Sequence, residues 1–112
     1  MAVTKYLIDT YFLRHLSADY ADGRIAHIWC YHGNHLRGSL HFYKERATIP
    51  ASGKTPQGAL YLSFRESQLA DMVATLRYER PLYLLYEDET HTACLSTSEE
   101  IIGEEETQER SG

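Results

Sequence analysis

Gly33-Asn34, set between two strand-like runs over residues 24–45, constrains this chain more than any other feature. Glycine and asparagine both tolerate positive φ, so the pair suits a tight primed turn between antiparallel strands. A two-residue loop sets His32 opposite His35, Tyr31 opposite Leu36, Trp29 opposite Gly38, His27 opposite Leu40 and Ile25 opposite Phe42. The face with Ile25, His27, Trp29 and Tyr31 is mostly apolar and is expected to point inward. A bare Gly38 would leave room there for the indole of Trp29. The opposite face then collects Ile28, Cys30, His32, His35, Arg37, Ser39 and His41.

The rest of the chain reads by the same local rules. Residues 3–13 form a strand-like run that is apolar on both sides, with Tyr6, Ile8 and Phe12 on one and Leu7, Tyr11 and Leu13 on the other. Such a strand is either central in a sheet or covered at an interface. Residues 14–23 read as a loop ending at Asp22-Gly23, and residues 46–58, with two prolines and two glycines, as a long irregular and mobile loop. Leu60, Leu62 and Phe64 alternate inward along a strand at 59–64. A helix is predicted over 65–78: Ser63 and Glu66 have capping-box spacing, Leu69, Met72, Val73 and Leu76 form one apolar stripe, and Pro81 follows Arg77 and Arg80. Residues 82–87 and 91–96 read as a second hairpin around Asp88-Glu89.

Five or six strands with one helix define an α+β fold, a mostly antiparallel curved sheet with the helix against one face. The alternative closure is a half-open barrel with the helix as a plug. The 112 residues suffice for one domain, assigned to 1–98, with an acidic and flexible tail at 99–112. That tail holds six glutamates against Arg110 alone, which accounts for the whole net charge of −5. The body is neutral, which argues against nucleic acid as a partner. Two widely spaced cysteines, Cys30 and Cys94, do not make a disulfide scaffold, so a reducing, cytoplasmic setting is expected. No signal-like start or membrane-length apolar run is present.

Candidate chemistry is sparse. Cys30, His32, His35 and His41 share one face in the register above, and Cys30, His32 and His35 are the combination from which a metal site or a cysteine-dependent enzyme could be built. Arg37 on the same face opposes a cation, and the spacing matches no standard ligand pattern. Gly53-Lys54-Thr55 matches the end of a phosphate loop, but Thr48 stands where that loop needs glycine. Asp9 has no acidic partner at fixed spacing, and Glu87, Asp88 and Glu89 read as a solvated turn.

Nine tyrosines are the remaining signal, because a large apolar ring with a polar tip suits surfaces that become covered on contact. The expected role is therefore non-catalytic binding of a small ligand or protein partner through the sheet face, with no cofactor. Tyr11, Tyr31, Tyr43, Tyr61, His32, His35, Arg37 and His41 are the candidate contacts. The doubly apolar first strand and the single helix also predict self-association, as a two-fold dimer.

Overall fold

The computed structural model describes residues 3–17 and 22–98, so the acidic tail and part of the 14–23 loop lie outside the described residues. The elements run β1 (Val3–Ile8), β2 (Thr10–His15), β3 (Arg24–His32), β4 (His35–Tyr43), β5 (Gly53–Lys54), β6 (Leu60–Arg65), α1 (Leu69–Tyr78), β7 (Leu82–Glu87) and β8 (Thr92–Ser96). They build an α+β fold of two open sheets, ordered β2-β3-β4-β6-β5 and β1-β7-β8, and neither closes into a barrel. Every strand pair is antiparallel except β4–β6, which is parallel.

The run at 3–13 is two strands rather than one. Asp9 interrupts it, donating its backbone N–H to the Tyr31 carbonyl at 2.8 Å while both carboxylate oxygens accept from the Gly33 N–H at 3.2 Å. The interruption changes which residues face inward. Tyr6 and Ile8 of β1 reach the core, and so do Tyr11 and Leu13 of β2, although they have opposite parity. An apolar pattern on both sides thus arises from two half-buried strands in different sheets.

The Gly33-Asn34 turn forms as expected, with Gly33 at φ +60° and with His32–His35 and Tyr31–Leu36 as its first pairs. The following pair is Cys30–Gly38, so Arg37 is an extra residue on β4. Its guanidinium lies 4.9 Å from the centre of the Tyr6 ring. This bulge shifts the register by one, replacing the expected Trp29–Gly38 and His27–Leu40 pairs by Trp29–Ser39 and His27–His41. A one-residue shift reverses a strand's faces. Ala26, Ile28 and Cys30 therefore point into the core beside Gly38, Leu40 and Phe42, and His27, Trp29 and Tyr31 point the other way. The space at Gly38 belongs to Leu84 of β7, because a Cβ at Gly38 would stand 2.6 Å from Leu84 Cδ1 and 2.9 Å from the Leu60 carbonyl oxygen.

The core lies between one face of the five-stranded sheet and two covering elements. Leu82, Leu84 and Tyr86 of β7, with Ala93 and Leu95 of β8, cover part of it. Leu69, Met72, Val73 and Leu76 of α1 cover the rest. The stripe read from the sequence is thus the packed face of α1. The helix begins later than expected: Glu66–Gln68 form a 3-10 turn, and the α-helix starts at Leu69. The 3-10 turn is held by Gln68, whose side chain accepts the Arg65 N–H at 3.1 Å, and by Glu45, which accepts the Ser67 N–H at 2.9 Å. Those partners replace the Ser63–Glu66 pair. At the other end Arg80 donates to the Leu76 carbonyl at 2.7 Å.

The 46–58 segment is tied down rather than loose. Arg65 donates to the carbonyls of Lys44, Glu45 and Ala47, Ser52 Oγ accepts the Ser63 N–H, and β5 pairs with β6. The glycine crossed by an aromatic ring is Gly53, where an added Cβ would run into the Tyr61 ring and hydroxyl. Among the described residues no helix is long and apolar enough to cross a membrane.

Gly38→Ala tests the contact between the sheets. Because one obstacle is backbone, the substitution is expected to cost about 1–3 kcal/mol through forced displacement. It should lower the urea midpoint at an unchanged slope. A wild-type midpoint would show that Leu84 does not define this space.

Candidate functional site

The second face of the five-stranded sheet has neither the helix nor the smaller sheet over it. Strand pairing places Phe12 and Arg14 of β2, His27, Trp29 and Tyr31 of β3, Leu36, Ser39 and His41 of β4, and Tyr61 of β6 on that side. Between β2 and β3 it holds a cavity of about 330 Å³ lined by Phe12, Leu13, Arg14, His27, Trp29 and Tyr31.

The lining is built from flat groups in defined contact. His27 and Trp29, two apart on β3, stack with centroids 5.3 Å apart and planes within 5° of parallel. Phe12 meets Tyr31 edge-on at 5.5 Å. The Arg14 guanidinium sits 5.1 Å from the Trp29 ring centre, a cation–π contact. Arg14 has no carboxylate or hydrogen-bond partner among the described residues, so its five donors remain available.

Behind the cavity lies a polar relay. Asp22 pairs with Arg24 at 3.6 Å and accepts its backbone N–H at 3.1 Å. Arg24 Nη1 stands 3.2 Å from His41 Nδ1, and His41 Nε2 stands 2.8 Å from Ser39 Oγ. A guanidinium can only donate, so Nδ1 accepts and Nε2 carries the proton that it donates to Ser39. Burial, then Arg24 and His27, push His41 down to about 4, so the ring is neutral at pH 7.

His27 is the exception in this arrangement. It is only 7% exposed, and neither ring nitrogen has a hydrogen-bond partner among the described residues. Its other neighbour, His41, is met edge-on at 6.1 Å. Burial first, then the charges of Arg14 and Arg24, hold its pKa below the ordinary histidine value. A buried polar group left unpaired costs about 1–3 kcal/mol. That is a cost a bound group with a donor or acceptor would relieve.

The residues singled out from the sequence are dispersed. Tyr31, Tyr61 and His41 lie on the open face, with Tyr61 36% exposed. Tyr43 is buried, Tyr11 packs toward the core, and Arg37 turns to Tyr6 of the smaller sheet. His32 and His35 pair at the hairpin tip, where His32 Nε2 is 3.8 Å from the Asp9 carboxylate. Cys30 is fully buried on the core face, and burial pushes its thiol up to about 12. The bulge at Arg37 thus moves His41 to the face opposite Cys30, while His32 and His35 stand at the exposed hairpin tip and Cys30 is enclosed in the core. No group of three His, Cys, Asp or Glu side chains among the described residues is placed to hold a metal. Phe12, Arg14, His27 and Trp29 were not among the expected contacts. The signal that could have found them is the alternation of Ala26, Ile28 and Cys30 with His27, Trp29 and Tyr31, which offers a second, small and apolar inward face.

No known protein family matches this chain, and no curated protein or solved structure was found to be similar to it.

The histidines make stability depend on pH in a defined direction. Unfolded histidine titrates near 6.5, whereas His41 does so near 4 in the folded protein and His27 is shifted the same way. Between those values the unfolded chain binds more protons, so this contribution is complete above pH 6.5 and is lost as pH falls toward 4. Urea denaturation at pH 7.5 and about pH 5 is expected to show the loss in wild type and a smaller one in His41→Gln. Equal losses would remove His41 from the explanation.

Proposed function

We propose that this chain is a non-catalytic binding module that takes a small ligand on the open face of its five-stranded sheet. The observation that carries this reading is His27, buried with both nitrogens unpaired in the wall of an aromatic cavity. A few convergent polar groups in an otherwise apolar concavity are the usual make-up of a ligand site. The lining includes no carboxylate, hydroxyl nucleophile other than a tyrosine, or thiol, which favours binding over catalysis. Cys30 and Cys94 form no disulfide, which fits a reducing compartment such as the cytoplasm.

A second reading concerns what covers the same face. Phe12, Leu36 and Tyr61 are 60%, 47% and 36% exposed there. Such a patch favours a two-fold pairing of copies through their open sheets, which would also roof the cavity.

Each reading has its own measurement. Native mass spectrometry of the protein purified gently from its own host is expected to show a small added mass that is missing in His27→Leu. A bare chain in repeated preparations would count against the ligand reading. Sedimentation at micromolar concentration is expected to give a species of twice 12.9 kDa that Phe12→Glu dissociates. A clean 12.9 kDa species that does not shift on dilution rejects the dimer alone.

A further inference from the structure

We propose that the cavity between β2 and β3 receives a small aromatic carboxylate, its ring against Trp29 and Phe12 and its carboxylate on Arg14 and His27. This rests on the ligand-binding reading above and names the class of ligand.

Three observations select that class. The first is shape. The stacked His27–Trp29 pair, its planes within 5° of parallel, and the edge-on Phe12–Tyr31 pair line the cavity with aromatic surface. A planar ring can lie against both, whereas a saturated chain fills such a site less completely. The cavity of about 330 Å³ is at the small end of ligand sites, which suits one or two rings.

The second observation is charge. Among the described residues Arg14 is engaged by the face of Trp29 alone, an arrangement that leaves its in-plane donors unspent there. One free guanidinium fork matches the two oxygens of a carboxylate. The only carboxylate described in this region, Asp22, is already committed to Arg24. A phosphate group fits less well. Phosphate sites commonly gather several backbone N–H groups at a helix start or a glycine-rich loop, and here the backbone of β2 and β3 is spent in the ladder.

The third is His27. It pairs with Arg14 across the β2–β3 ladder, so the two side chains stand side by side on this face. Neutral imidazole can donate one hydrogen bond to a carboxylate oxygen, and the positive groups around it, Arg14 on β2 and Arg24 on its own strand, favour an anion there. One carboxylate would thus satisfy the unspent guanidinium and the unpaired imidazole together.

The test uses the full chain with 1-naphthoate, its uncharged counterpart 1-naphthamide, and cyclohexanecarboxylate, which keeps the charge but lacks the ring. Calorimetry gives affinities. The indole N–H resonance of Trp29, the only tryptophan in the chain, reports whether the probe is at this site. Naphthoate is expected to bind with one site per chain and to move that resonance, with both counterparts weaker by about tenfold or more. Arg14→Met should weaken naphthoate by a similar factor and leave naphthamide unchanged, with the urea midpoint showing that the fold is intact. Arg14→Lys should fall between. Equal affinities for naphthoate and naphthamide would overturn the carboxylate assignment while leaving a ring-binding site. Failure of all three probes to move the Trp29 resonance would overturn this inference. The wider ligand reading would still be decided by the native mass.

Discussion

Between the Tyr31–Leu36 and Cys30–Gly38 pairs the β3–β4 ladder changes step by one residue, with Arg37 displaced toward the Tyr6 ring. The placement of side chains on the five-stranded sheet depends on that step. Beyond it, Cys30, Ile28 and Ala26 are directed to Gly38, Leu40 and Phe42, where the helix and smaller sheet enclose them. The same step directs Trp29 and His27 outward, beside Phe12 and Arg14. An unbulged ladder would set Trp29 across from Gly38, in space that Leu84 fills. Over Ala26–Cys30 the division between core and open face therefore follows from this bulge, and a second register shift between Arg24 and Ala26 ends that stretch.

The outward face is less comfortable than the inward one, and the discomfort is local. The core is apolar, whereas the open face keeps an imidazole unpaired among the described residues and a cation resting on an indole. His41 shows that the fold can satisfy a histidine on this same face, since it is bonded on both sides through Arg24 and Ser39. The contrast between two histidines that face each other across one ladder makes His27 informative. Departures from local consistency of this kind concentrate where a surface has a task besides stability.

What could be read from the sequence was what depends on neighbours in the chain. The Gly33-Asn34 turn, the stripe of α1, the inward Leu60 and Leu62 and the second hairpin rest on spacing alone, and the structure contains them. The break at Asp9 was hidden because its cause is distant: the backbone of Gly33 and Tyr31, in another strand. The same holds for β5, for the parallel β4–β6 pair and for the bulge, whose bases are the packing of Leu84 and Tyr6. A face assignment carried through an unseen bulge inverts. The sequence register therefore sets His27, Trp29 and Tyr31 inward and Cys30 outward, the reverse of the structure, whereas Tyr61 lies outward as its alternation with Leu60 and Leu62 implies.

The two sheets also differ in how the chain reaches them. Most of the five-stranded sheet comes from strands that follow one another, with the β3–β4 hairpin at its centre. The smaller sheet joins the two ends of the described chain, because β1 pairs with β7 and brings Ile8 to Leu82. Closing so long a loop carries an entropy cost that a hairpin escapes, and pairings of large sequence separation slow folding. In kinetic terms the open face can be assembled by near neighbours, whereas its support awaits the meeting of distant segments. Until β7 arrives, the hollow at Gly38 has no Leu84 to fill it, and the apolar side of the larger sheet is exposed on a chain whose other side is already laid out.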